Sequence, residues 1–272
     1  MEAEEKETKN KLEEKPSVAV DGESLQILEN NWEKVENLLK QTEGDFKELS
    51  LELSKIVHNI VDIIGPLSKL NDIENAACEF CNKSNLFNRI YNWTGQHREC
   101  LRLMAEQQLQ IYNNLIKNAS TNLLLCEKVI VPLLLLLMSL KPTEKRKVPS
   151  SMQKLYVDIL YCISERITST ELLDVLSKDL FTEEGFKIPK FTFFELLILY
   201  THEIGESGDL ARNAILFCIH ISSSHQLFQK YITEESAVSV VRQLLFFYES
   251  YVIAMKNYSL IQSIMCLVLA LR

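Results

Sequence analysis

Apolar residues recur at intervals of three and four from Leu25 almost to the C-terminus, and this rhythm confines the chain to helices. Leu25, Leu28, Trp32, Val35, Leu38 and Leu39 form a first stripe, with Asp21 or Ser24 placed to cap it. Phe46, Leu49, Leu53, Ile56, Val57, Ile60, Ile63 and Ile64 form a second, which Gly65-Pro66 is expected to stop. Helical patterns continue over Leu67–Phe80, Asn85–Trp93, Gln96–Ile116, Leu123–Leu140, Met152–Ile167, Glu171–Leu180, Phe191–Glu203, Asp209–Ile221, Gln226–Tyr231, Ala237–Tyr248 and Tyr251–Leu271, with no convincing strand between them. Seven glycines and six prolines among 272 residues are less than half of ordinary usage, too few for the turns of a β-sandwich or barrel.

A chain of this length outgrows a single rounded core unless it grows by repetition. A helical pair about every 40 residues implies an all-α fold, an α-solenoid of HEAT- or armadillo-like pairs over residues 21–272. Residues 1–20 alternate Glu and Lys with little to bury, so a disordered charged lead-in is expected there. The helix over Leu123–Leu140 is apolar all round and reads as an inner, buried element. Pro132 falls in a tolerated first turn if that helix starts near Val131, and kinks it if the start is near Thr121.

The formal net charge of −8 repels a phosphate backbone and excludes nucleic acid as the main partner. Seven cysteines, an odd number, together with a charged N-terminus lacking an apolar signal core, point to a reduced, cytoplasmic protein. The apolar runs Val129–Leu140 and Ile264–Leu271 fall short of the roughly 20 residues that span a bilayer.

The glycines are too dispersed to build a phosphate-binding loop. Gly205-Glu206-Ser207-Gly208-Asp209 lacks the last glycine of a nucleophile elbow and its preceding strand, and reads as a helix N-cap loop. His202-Glu203 begins like a zinc-protease helix, but the second ligand position is Glu206. His202, Glu203 and Glu206 are the polar cluster an enzyme would need. Cys78-x-x-Cys81 and His97-x-x-Cys100 have the spacing of a structural zinc site. Phe80, Leu86, Phe87, Ile90, Tyr91 and Trp93 lay a core pattern across the gap, so buried thiols are preferred and neither metal nor other cofactor is expected.

Lys141, Lys145, Arg146 and Lys147 form a basic connection in an acidic chain, read as a solvated loop or a contact for an acidic partner or anionic lipid. Asp209 and Arg212 stand one turn apart at a helix N-terminus, where the carboxylate complements the helix dipole. Lys145, Arg146, Lys147, Asp209 and Arg212 are the candidate partner contacts. Phe191, Phe193 and Phe194, and later Phe246, Phe247 and Tyr248, read as core, with a partner groove as the alternative.

Three stretches resemble the N-terminal half of the FTS- and Hook-interacting protein family, also called retinoic-acid-induced-16-like proteins. They are Glu29-Asn30-Asn31-Trp32-Glu33-Lys34-Val35; Glu106 to Tyr112 running through Asn122-Leu123-Leu124-Leu125 to Val131-Pro132 and Leu133 to Leu137; and Gly208-Asp209-Leu210-Ala211-Arg212-Asn213-Ala214 continuing to Ile219. The likeness covers roughly residues 25–250. It departs at Lys117 to Asn122, where the family commonly carries an Arg-Gln-Pro turn, and in length, so the chain is expected to be truncated relative to the family. The resemblance implies a non-enzymatic adaptor joining a Hook-type protein and an FTS-like protein, and linking vesicular or endosomal cargo to dynein on microtubules. It also implies a Rab GTPase as membrane-side partner, with association to vesicle surfaces through partners alone. The residue pattern by itself leaves open an unrelated helical-repeat interaction module, or a membrane binder acting through its basic loop.

Overall fold

A computed structural model describes residues 22–41, 43–69, 76–97, 100–142, 148–167, 170–201 and 205–222, with Glu203, His225, Gln226, Lys230 and Tyr231. The lead-in expected over residues 1–20, the basic residues Lys145, Arg146 and Lys147, His202 and the helices expected beyond Ala237 lie outside the described residues.

Among the described residues the fold is all-α apart from one short hairpin. Helix α1 (Gly22–Leu39) buries Leu28, Val35 and Leu38 and leaves Leu25 and Ile27 exposed. Trp32 packs edge-on to Phe80 and lies 4.9 Å beneath the Arg89 guanidinium, which also meets the Glu36 carboxylate at 2.6 Å and holds its pKa down. Helix α2 (Phe46–Leu67) starts at Asp45, whose side chain accepts the Lys47 N–H. It does not stop at Gly65-Pro66: the carbonyls of Ile64 and Pro66 accept from Ser68 and Lys69, so the last turn closes around the proline. Gly65 is instead a packing site. A Cβ there would meet Asn118 at 3.1 Å, in the last turn of the helix α2 lies against.

Helices α3 (Ala76–Ser84) and α4 (Leu86–Gln96) are separated by Asn85, at φ 49°. Helix α5 (Leu101–Asn118) follows. The single helix expected over Leu123–Leu140 is two, α6 (Thr121–Leu125) and α7 (Glu127–Ser139), because Cys126 takes an extended conformation. Pro132 then sits in the second turn of α7, a position between the two alternatives its spacing allowed. Every residue from Val129 to Leu137 is buried, so α7 is covered on all sides, as its composition implied.

Helices α8 (Ser150–Ser164) and α9 (Thr170–Ser177) precede the hairpin β1 (Leu180–Phe181) and β2 (Lys187–Ile188), paired antiparallel with Leu180 opposite Ile188. This strand pair corrects the all-helical reading of Glu171–Leu180. A two-residue ladder has no alternation to detect, and the turn is marked only by Gly185 at φ 80°. Its tip is tied down: Glu183 accepts from Asn85 and Asn88 and pairs with Lys128, and Glu184 accepts from Asn92. The Lys128 ammonium holds the Glu183 carboxyl below its usual pKa. Helices α10 (Thr192–Ile198) and α11 (Glu206–Ser222) complete the described fold.

The helices pack in two rows. In one, α1 lies on α2, α2 on α5, α5 on α8 and α8 on α11; in the other, α4 lies on α7 and α7 meets α10. Starts at Phe46, Leu101, Ser150 and Glu206 space the first row by roughly 50 residues, longer than a simple helical pair because short elements are inserted. Phe191, Phe193 and Phe194 belong to the core, and Phe191 stacks on Tyr231 at 4.2 Å.

The start of α11 shows what the Gly208-Asp209-Leu210-Ala211-Arg212 stretch does. A Cβ on Gly208 would lie 1.8 Å from the Glu203 carbonyl oxygen, so only glycine admits this approach. Arg212 is 2% exposed and donates to the carbonyls of Thr201 (2.8 Å) and Glu203 (3.0 Å) and to Asp209 (2.5 Å). The guanidinium clamps the α10–α11 connection from inside. Gly208→Ala is therefore expected to destabilise by about 2 kcal/mol, a melting drop of roughly 5 °C, and Arg212→Met by about 3 kcal/mol. The Asp209 side chain is 54% exposed, so Asp209→Asn should cost less than about 1 kcal/mol. Thermal melts of the three variants check the order; unaltered stability in Gly208→Ala contradicts the clamp.

Candidate functional site

The structure does not assemble the thiol–imidazole spacing into one site. Cys78 and Cys81 lie on α3, and Cys81 and Cys100 are buried. His97, at the end of α4, stacks on Phe46 at 4.1 Å and leans on Trp93 at 4.5 Å. The contact between these segments runs instead from Cys126, at the start of α7, whose thiol donates to the Asn82 amide oxygen of α3 at 3.3 Å. Local spacing offered no signal for this pairing, since α7 is remote in sequence. Among the described residues no group of three His, Cys, Asp or Glu is placed to hold a metal ion.

Of the residues of the enzyme reading, Glu203 and Glu206 are described and His202 is not. Glu206 is exposed and pairs with Lys154 at 3.0 Å, which raises the lysine's pKa. Strongly shifted groups elsewhere are shifted by burial: Tyr112 and Tyr156 rise for this reason, and Cys218 rises to about 12. Tyr156 donates to the Leu137 carbonyl, a structural use. Of the sequence-derived partner contacts, Arg212 is turned inward onto its own backbone, and its ion-pair partner Asp209 is half exposed. No helix among the described residues is long and apolar enough to cross a membrane.

What the fold does build is a cleft of about 460 Å3 where four helices meet. Tyr91, Asn92, Thr94 and Gly95 of α4 form one wall, and Leu101, Arg102, Ala105 and Gln108 of α5 the opposite one. Leu136, Ser139 and Leu140, at the end of α7, and Val148, Pro149 and Met152, at the entrance of α8, close the ends. The floor is internally satisfied: buried Gln108 donates to the Thr94 hydroxyl at 3.0 Å, and Thr94 donates to the Ile90 carbonyl at 2.8 Å. Tyr91 is hydrogen-bonded to Ser139, and partial burial raises its pKa. The polar groups therefore fix the walls, and the remaining surface is mostly apolar.

Two features of the cleft stand out chemically. Among the described lining residues Arg102 is the charged one, and none of them is an acid, although the whole chain is acidic. Lys141, exposed, follows Leu140 directly at the rim. Leu101 is 48% exposed at the mouth, and a Cβ placed at Gly95 meets nothing within 4 Å. Sequence patterning could not find this site, because it is made from the ends of helices whose buried stripes point elsewhere.

Comparison with known proteins gives this geometry a family. A family profile described as retinoic acid induced 16-like protein matches residues 77–264, which takes in the second and third of the resembling stretches. An FHIP family protein of Nematostella vectensis is 27% identical over 230 residues, covering 81% of this chain and 25% of the relative. The human FHF complex subunit HOOK-interacting protein 1A is 27% identical over 241 residues, covering 84% of this chain and 22% of the relative. An FHIP family protein of Culex quinquefasciatus is 30% identical over 163 residues, covering 58% and 16%. The chain thus spans about a quarter or less of the length of the curated relatives it matches. With the family profile extending over most of the chain, the protein belongs to the retinoic acid induced 16-like, or FHIP, family.

Proposed function

We propose that this chain is a non-enzymatic adaptor that binds a Hook-type protein, and that the cleft between α4, α5, α7 and α8 receives an acidic amphipathic helix of that partner. The observation that carries this reading is that the described lining residues are mostly apolar and include no acid, within a chain of net charge −8. An apolar ridge of the partner would enter beside Leu101 and Ala105 while its carboxylates meet Arg102 and Lys141. Charge of this kind orients a partner and speeds its approach, while the buried apolar contact supplies affinity. The name of the human relative, FHF complex subunit HOOK-interacting protein 1A, supports the choice of partner.

In the same reading the Hook-bound chain also engages an FTS-like protein, and a Rab GTPase marks the vesicle or endosome that dynein moves. The protein then works in the cytoplasm and reaches vesicle surfaces through these partners. Stacked helices suit such work because the surface side chains of each layer vary without disturbing the core.

Binding of a purified Hook protein, measured by interferometry or calorimetry, tests the cleft. Gly95→Trp fills its mouth where there is open space and removes a helix-interior glycine, so affinity should fall at least about tenfold with no loss of melting temperature. Arg102→Glu should slow association and weaken its salt dependence while leaving the fold intact. Unchanged affinity in both variants removes the cleft as the docking site; no binding by the unmutated chain removes the Hook partner.

A further inference from the structure

The hydrogen bonds under the cleft run in one direction. The Thr94 hydroxyl gives its only proton to the Ile90 carbonyl, 2.8 Å away, because a carbonyl cannot donate. Lone pairs alone are then left on Thr94 for Gln108, so the amide nitrogen of Gln108, 3.0 Å off, is the atom that faces it. The amide oxygen is thereby turned the other way. Among the described residues nothing donates to that oxygen, and it is not sealed in by protein. Gln108 is 4% exposed and lines the cleft, so the cleft is the space onto which the oxygen opens.

While the cleft is open, solvent can serve this acceptor. An apolar ridge that fills the cleft displaces solvent and strands the oxygen, unless the ridge itself carries a donor. The backbone N–H groups within a docked helix are already used, so the donor has to be a side chain. Lysine and arginine are disfavoured, because Arg102 stands in the same lining and none of the described lining residues is an acid. Serine and threonine are too short. Leu101 at the mouth is 48% exposed against 4% for Gln108, so the donor has to descend past Tyr91, Leu136 and Leu140. Room for a large ring exists: Ala105, one turn before Gln108 on the same face of α5, contributes only a methyl group to a cleft of about 460 Å3. An indole meets these conditions. Its N–H donates, and its nitrogen has no lone pair to leave unpaired among apolar side chains, whereas a phenol or amide oxygen brings two.

We propose that the cleft floor is a tryptophan subsite, in which the docked helix inserts an indole beside Ala105 and donates its N–H to the Gln108 amide oxygen. This subsite presupposes the docking of an amphipathic helix in the cleft, and it specifies one residue that helix carries. Thr94 is a positioning residue: by holding the Gln108 nitrogen it decides which end of the amide the partner meets. Charge at Arg102 selects an acidic helix, and Gln108 selects among acidic helices. A helix with leucine or phenylalanine at that depth is rejected by the stranded acceptor and not by a clash.

Indole, N-methylindole and indene share nearly the same ring system, and only indole carries an N–H. Titrated into the full chain and followed by NMR, indole is expected to bind at least about fivefold more tightly than the other two, with shifts at Gly95, Ala105 and Gln108. Gln108→Met keeps the length of the side chain and loses the acceptor, so the preference should vanish, with melting curves to show that the fold is kept. The three-ligand comparison needs no variant and decides even if Gln108→Met folds poorly. Replacing the tryptophans of a purified Hook protein by phenylalanine, one at a time, should weaken binding at least about fivefold at one position, and that loss should disappear in Gln108→Met. If the Hook protein binds and Gly95→Trp releases it, while indole is held no better than N-methylindole or no tryptophan matters, the subsite falls and the docking cleft stands. If indole is preferred through Gln108 and the Hook protein does not bind, the Hook partner falls and the subsite stands. Tighter binding of para-cresol than of indole, or an indole preference that survives Gln108→Met, would overturn the assignment.

Discussion

The enclosure of α7 is the constraint on which the rest of the molecule depends. Nine consecutive buried residues, Val129 to Leu137, leave no polar face, so this helix is stable only if neighbours cover it on every side. Each such side chain withdrawn from water contributes on the order of 1.5–3 kcal/mol, before the entropy of ordering the chain is subtracted. Helices α4, α10 and the short α3 and α6 meet that demand, and the row α2, α5, α8 and α11 extends the same continuous core. The two-row arrangement follows from one element that cannot be left at the surface.

Apolar covering does not by itself fix how the connections run, and polar groups settle that. The hairpin tip is held by Glu183 and Glu184 against α4 and Lys128, which anchors a segment with little ladder of its own. The turn between α10 and α11 is held by buried Arg212 on the Thr201 and Glu203 carbonyls. At the second place the buried guanidinium satisfies carbonyls that would otherwise be stranded near the core, and so selects one path for the backbone. A consequence is that Arg212, which looks like a surface recognition residue on a helix diagram, is committed internally.

The same division explains where the interesting chemistry lies. Helix ends, not helix faces, form both the cleft and the Cys126–Asn82 contact between α7 and α3. Faces are consumed by the core; ends carry unpaired backbone donors, breaks and exposed junctions, and they are where side chains of different helices converge outside the apolar seam. Cys126 illustrates this: its extended backbone ends α6, its carbonyl accepts the Val129 and Ile130 N–H groups that begin α7, and its thiol donates to Asn82 of α3.

Much of the architecture was legible in the chain itself. The apolar stripes of α1 and α2, the scarcity of glycine and proline, and the all-round burial of α7 follow from local periodicity, which depends only on the helical repeat. The Gly208-to-Arg212 stretch could be recognised as a family signature, but not as a clamp, because the carbonyls it binds belong to a loop whose path is set by packing. The Gly65-Pro66 pair looked like a stop, yet α2 continues through it and Gly65 is used for close contact with Asn118. The spacing of Cys78, Cys81, His97 and Cys100 suits a zinc site, but the core pattern across the gap favours buried thiols, and Cys81 and Cys100 are buried. Sequence determines which residues must leave water and at what period; tertiary packing decides which distant helix ends meet, because contacts across the core depend on register and approach that no local pattern encodes.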